Sequence, residues 1–219
     1  FEMRELYASG LITGFARLDG WSVGVIGSDP MSKAGAMDGN AADKYTHFVD
    51  LCDTFNLPLL IFLDMPGFML GSHAERIATM RRGARALIAS AECQVPKIEF
   101  MVRKSYGVAA DAPNSIGLPD SINLRFGWPS GEWGGIPIEG GVAAAYRREI
   151  EAADDPDAHR EAIEERLLRL RSPFRAAHRG DVVDLIDPRE TRSLACRFVN
   201  LAQPKLRELA QRPKRAVRP

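Results

Sequence analysis

"LIFLDMPGFMLGSHAERIATMRRGA" runs from Leu60 to Ala84. An apolar run stops on Pro66-Gly67, passes Gly71 and resumes with helical spacing. Proline cannot donate to a sheet ladder, and glycine admits positive φ. The stretch therefore reads as a strand, a sharp bend and a helix. The apolar part, Leu57 to Leu63, shows no alternation, which marks a strand covered on both faces. Such a strand belongs in an α/β fold, with helices packed on a mostly parallel sheet.

The same pattern recurs downstream. Val95 to Val102 reads as a second apolar strand, and "SYGVAADAP" follows it with a second glycine turn. Upstream, Asp19-Gly20 joins two strand-like runs, Leu11–Leu18 and Trp21–Gly27, as a hairpin. Tyr45, Phe48, Val49, Cys52 and Phe55 have helical spacing, with Asn40 as the expected cap. Ala74 to Glu92 reads as one helix whose apolar face is Ile77, Met80, Ala84, Leu87, Ile88 and Ala91. Further on, Ile122–Phe126 is a strand, while Ile138–Glu151 and Pro156–Arg171 are helices. "GDVVDLIDP" holds a short strand, and Arg189–Arg212 is a last helix interrupted near Pro204. Residues 1–203 form one domain on this reading, and 204–219 a basic, partly disordered tail.

Composition narrows the function. The 219 residues carry 29 basic and 29 acidic side chains. Zero net charge argues against a general grip on nucleic acid. No apolar run reaches the ~20 residues of a membrane span. Three scattered cysteines, Cys52, Cys93 and Cys196, show no zinc spacing and fit small core residues in a reducing cytoplasm. No metal site is expected. His47, His73, His159 and His178 read as surface or helix-end residues, Trp128 and Trp133 as core or interface residues, and Arg81 and Arg82 as solvated.

The two bends carry the chemical signal. Each can turn peptide N–H groups away from the sheet, past the strand ends, where ligands of open α/β sheets sit. Such groups can hold an oxygen that gains negative charge. No GxSxG, GxxxxGK[ST] or GxGxxG motif accompanies them. The site is expected to work through backbone dipoles.

Three stretches carry a family resemblance: "FVDLCDTFNLPLLIFLDMPGFMLG", "RRGARALIASAECQVPKIEFMVRKSYG" and "RGDVVDLIDPRETRSLA". The chain resembles, from about Leu11 to Leu201, the carboxyltransferase (beta) subunits of biotin-dependent acyl-CoA carboxylases. The resemblance implies a crotonase-like spiral of ββα units. It also implies that the chain is the C-terminal half of a subunit, the half that largely receives carboxybiotin. Coenzyme A would be held mainly by the N-terminal domain of another subunit, usually in a hexamer. A biotin carboxylase and biotin carrier (alpha) subunit is the further partner implied. Gly107, Val108 and Ala109 match the family's Gly-Gly-Ala oxyanion segment. Met65, Pro66, Gly67 and Phe68 match the bend lining its pocket, with Ala110 beside them. Asp111 matches a position that tunes acyl-chain preference. Val108 and Ala110 depart from the family's usual glycine and aromatic. A biotin-dependent decarboxylase, and a non-catalytic assembly half, are the competing readings.

Overall fold

The structure is a computed structural model, and it describes residues 1–114, 121–138, 141–212 and 217. Parts of the expected Ile138–Glu151 helix, of the Pro/Gly-rich stretch before Ile122 and of the basic tail lie outside the described residues.

The chain opens with β1 (Leu11–Leu18) and β2 (Trp21–Ser28), an antiparallel hairpin. Asp19 and Gly20 both take positive φ, as a tight two-residue turn demands. Then come α1 (Gly39–Thr54), β3 (Leu59–Met65), α2 (Ser72–Arg76), α3 (Thr79–Glu92) and β4 (Lys97–Tyr106). The next elements are α4 (Gly107–Asp111), β5 (Asn123–Gly127) and β6 (Glu132–Gly134). A helical segment follows: α5 (Gly141–Ala145), α6 (Arg147–Glu151), α7 (Pro156–Leu170) and α8 (Pro173–Arg179). The last elements are β7 (Asp184–Leu185) and α9 (Thr191–Leu209).

The sheet order is β1-β2-β3-β4-β5-β7, with β6 beside the far end of β4. Every pair after the hairpin is parallel. Neighbouring residues of β3 serve opposite cores, as its unbroken apolar run requires. Leu59, Ile61 and Leu63 pack with α1 and α3, whereas Leu60 joins Ile98, Phe100 and Phe126 against α9. Ile138, Val142 and Ile163 form a separate small cluster between α5 and α7.

Several expectations need correcting. The cap of α1 is Asp38, whose carboxylate accepts from the Ala41 N–H at 2.8 Å. Asn40 lies inside the helix and accepts from Arg82, which also pairs with Asp43 at 3.1 Å. Arg82 is therefore tied to α1 and half-buried, not solvated. The expected Ala74–Glu92 helix is two helices, because Ala78 adopts left-handed φ 53° between them. Its buried face also differs. Thr79, Gly83, Ala86, Ala89 and Ser90 point inward, while Met80 and Ile88 are half exposed. Small side chains let α3 approach α1 closely, and that proximity outweighs the burial of larger residues. The Ile138–Glu151 region holds two short helices that part at Tyr146. Finally, α9 continues through Pro204, because Ala202, Leu206 and Leu209 on either side are anchored in the core. That anchorage offsets the ~3 kcal/mol that an interior proline costs a helix.

Asp38 provides a test of the fold. Burial raises its pKa, but the Lys33 ammonium and the Ala41 N–H outweigh that and hold the carboxyl below its ordinary 3.8. A carboxylate held low in the folded state stabilises above its unfolded value and loses that contribution as pH falls through it. Asp38→Ala should cost about 0.5–2 kcal/mol near neutrality. In denaturant titrations the gap between wild type and variant should close below the ordinary carboxylate range. A gap that persists there would remove charge from the account.

Candidate active site at the two bends

β3 and β4 run parallel, so both glycine turns lie past the carboxyl ends of neighbouring strands. Their register slips near that edge: Leu63 faces Met101, but Met65 faces Ser105. Asp64 holds the slip. Its carboxylate accepts from the Lys104 N–H at 3.1 Å and from Arg103 Nε at 3.0 Å. The bends lie side by side as a result. A Cβ on Gly67 would lie 3.5 Å from the Tyr106 carbonyl oxygen. Gly67 has φ +123° and Gly107 φ +63°, both conformations that side-chain-bearing residues resist.

The first bend is stitched to the segment before α1. Met37 N–H donates to the Gly67 carbonyl at 3.0 Å, and Met69 N–H donates to the Met37 carbonyl at 2.9 Å. Met65 is buried and Pro66 partly so. The Phe68 ring lies over Gly83 of α3, where an added Cβ would sit 2.4 Å from it. In the second bend α4 starts directly on the last residue of β4, with Tyr106 as its cap. A helix cannot satisfy the N–H groups of its own first turn. Those of Gly107, Val108 and Ala109 therefore point out of the helical ladder.

A cavity of about 1110 Å³ opens beside that turn. Gly107, Val108 and Asp111 line it, and so do Trp133, Tyr146 and Leu167. Val108 is exposed there, whereas Ala109 and Ala110 are fully buried behind it. Thus the second bend forms cavity wall, and the first lies against that bend rather than in the wall. The only sequence-predicted charge at the wall is Asp111, which pairs with Arg125 at 3.4 Å. Trp128 belongs to the second core and donates its indole N–H to Thr191 Oγ1 at 3.0 Å.

Beside α4 lie three buried charges that the sequence reading missed, Lys97, Glu99 and Arg125, the last also bordering the cavity. Lys97 and Glu99 stand two residues apart on β4. Lys97 Nζ donates to the Ser90 carbonyl at 2.8 Å, and Ser90 Oγ donates to the Pro113 carbonyl at 3.1 Å. Burial pulls the Lys97 pKa down. Glu99 faces Arg125 across β4 and β5, and Arg125 Nε donates to Glu99 Oε2 at 2.6 Å. Burial pushes the Glu99 carboxyl up, against the pull of Arg125. Burial also works against the charge on Arg125, but Glu99 outweighs it and holds the guanidinium above its ordinary value. Their signal was charge inside two apolar strands, two residues in "KIEFM" and one in "NLRFG".

Tyr106 completes the wall. Its hydroxyl donates to Glu132 Oε2 at 3.0 Å, and Arg171 Nη1 donates to the same oxygen at 3.2 Å. Among the described residues no cluster of His, Cys, Asp and Glu suits a metal ion. Nor is any helix among them long and apolar enough to cross a membrane.

A family model described as "Carboxyl transferase domain" matches residues 1–217. The propionyl-CoA carboxylase carboxyltransferase subunit of Haloferax mediterranei is 42% identical over 194 residues, which cover 88% of this chain and 37% of that protein. The methylmalonyl-CoA decarboxylase subunit alpha of Propionigenium modestum is 36% identical over 209 residues, covering 95% of this chain and 40% of its own. Among solved structures, a transcarboxylase 12S with hydrolysed methylmalonyl-coenzyme A bound superposes with TM-score 0.81. It is 37% identical, with 100% of this chain and 40% of that one covered. The chain thus spans well under half the length of these relatives, and its fold is the crotonase-like α/β fold of the carboxyltransferases.

The Tyr106 wall can be tested by titration. Burial first, and the Glu132 carboxylate after it, push the phenol up to about 12, although the Arg171 bond pulls it back. At about pH 11 a solvated phenol is mostly ionised. Tyr106→Phe should therefore leave tyrosinate absorbance unchanged at that pH. A clear loss of absorbance in the variant would show that Tyr106 is solvated.

Proposed function

Because the chain belongs to the carboxyl transferase domain family, we propose that it is the C-terminal domain of a carboxyltransferase subunit. That subunit moves a carboxyl group from biotin to an acyl-CoA. One observation carries this reading: the first turn of α4, whose N–H groups have no partner in its own ladder, contributes Gly107 and Val108 to a cavity wall. The reaction needs oxygen-stabilising donors at the biotin ring and at the thioester, and no protein nucleophile. Biotin, tethered to a separate carrier domain, supplies the carboxyl group and a base for the acyl α-proton.

The residues of this chain then have distinct tasks. Gly107, in its left-handed conformation, aims the first turn. The N–H group of Val108, at the wall, holds an oxygen that gains charge, and the buried Ala109 backs the turn. Gly67, on the neighbouring bend, lets the chain pass close to Tyr106 and supports the wall from outside it, and Met65, Pro66 and Phe68 fix the course of that bend. Ala110 keeps the rear of the turn small, and Asp111 faces the acyl group. Fixed donors in a dry site need no reorganisation as charge develops. The N-terminal domain of a second subunit would close the site over coenzyme A, in a cytoplasmic hexamer served by a biotin carboxylase and carrier subunit.

The likeness to a methylmalonyl-CoA decarboxylase subunit supports a second reading, in which transfer runs from the acyl-CoA to biotin. Isolation of the complete subunit with its natural partners would separate the two. A biotin carboxylase partner marks the carboxylase, and a membrane subunit marks the decarboxylase.

The chemistry is tested in the complete, assembled subunit, with methylmalonyl-CoA as donor and free biotin as acceptor. Gly107→Ala forces a side chain into positive φ, with its Cβ 3.2 Å from the Gly135 carbonyl oxygen. Losing one aligned donor costs ~10²–10³ in rate. The variant's kcat should fall by about that factor, with KM for the thioester within about threefold. Melting temperature is measured alongside. Normal turnover in Gly107→Ala would remove the α4 turn from the mechanism.

A further inference from the structure

We infer that Arg125 is a positioning residue, which sets the orientation of the α4 first turn from the far end of that helix, although Arg125 itself also borders the cavity. The inference rests on the carboxyl-transfer reading for its kinetic consequence. Its geometry stands apart from that reading.

α4 has five residues, too few to hold a helical turn by its own hydrogen bonds. Its N-terminal residues Gly107 and Val108 border the cavity, so ties that set its direction fall to its other end. There the last carbonyls of a helix need donors. Arg125 provides one: Nη2 donates to the Ala110 carbonyl at 3.4 Å, and Nη1 to Asp111 Oδ1 at 3.4 Å. The third arm, Nε, is fixed on Glu99 of β4. A guanidinium is flat and its donors diverge at fixed angles. Two long bonds to α4 and one short bond to Glu99 therefore tie α4 to the central strand in direction as well as distance. An apolar side chain could fill this space but could not set that direction.

Two details separate this role from simple stabilisation. A buried ion pair is a poor device for stability, because desolvating two charges consumes most of their attraction. And Glu99 Oε1 is buried with no hydrogen-bond partner, so the pair leaves a polar atom unsatisfied. Lys97 does not substitute for this tie. Its route through Ser90 ends on Pro113, beyond the last residue of α4.

The test uses the complete, assembled subunit with Glu99→Leu and Arg125→Met combined, so that neither charge is left alone. Three readouts are taken: melting temperature, amide hydrogen exchange over residues 107–112, and transfer from methylmalonyl-CoA to free biotin. The double variant should melt at or above the wild-type temperature. Exchange in α4 should nonetheless quicken by about tenfold or more as the turn loosens. A misplacement of about 1 Å can cost ~10²-fold in rate. kcat should accordingly fall at least about tenfold, with KM for the thioester within about twofold. Unchanged exchange in α4 overturns the inference whatever the turnover, and a kcat loss that merely tracks a lower melting temperature does so as well. If the double variant fails to fold, Arg125→Lys keeps the charge beside Glu99 but lacks the fork. Faster α4 exchange in that variant supports the tie, and wild-type protection overturns it. If the wild-type subunit transfers no carboxyl group, the functional reading fails, and the exchange data still decide the role of Arg125.

Discussion

Parallel pairing of β3 with β4 is the constraint on which the site depends. It carries two adjacent strands to one edge of the sheet, where each chain segment must turn. An antiparallel pair would have sent the two bends to opposite edges. The Asp64 carboxylate then decides where the edge falls, because it binds both Lys104 N–H and Arg103 while Met65 moves on to Ser105. With that edge fixed, a Cβ added to Gly67 would reach the Tyr106 carbonyl, and α4 begins where the sheet ends.

Much of this was legible in the chain because strong local signals agreed with the global fold. The hairpin at Asp19-Gly20 and the strands around Ile61 and Phe100 followed from turn chemistry and from apolar runs without alternation. The glycine bends were visible for the same reason. What sequence periodicity ranked wrongly was a helix face. On α3 the larger residues Met80 and Ile88 suggested the inside, but packing distance to α1 selected Gly83, Ala86 and Ala89. A hydrophobic ranking cannot register a requirement for smallness. The left-handed Ala78 was hidden too, since alanine is the residue least expected to break a helix.

The candidate site was legible as backbone and illegible as charge. Glycines at 67 and 107 declare unusual dihedral angles by their identity. Glu99 and Arg125 looked like defects in two separate strands, and only the register that sets one opposite the other makes them a pair. Tyr106, Glu132 and Arg171 come from a strand end, a short edge strand and the end of α7, so no spacing rule could have grouped them.

The inverted face of α3 has a consequence for how this sequence can drift. Most buried helices tolerate exchanges among apolar residues of similar volume. The inner face of α3 is already near the lower bound of side-chain size, with Gly83 under the Phe68 ring and Ala86 and Ala89 fully enclosed. Almost every available substitution there adds volume, and added volume would wedge α3 from α1 and press on the bend that carries Phe68. Exchange is thus confined to glycine, alanine and serine on one side of the helix, while the exposed side holding Met80 and Ile88 has no such ceiling. Across related sequences, that helix should show its greatest invariance in its smallest buried positions.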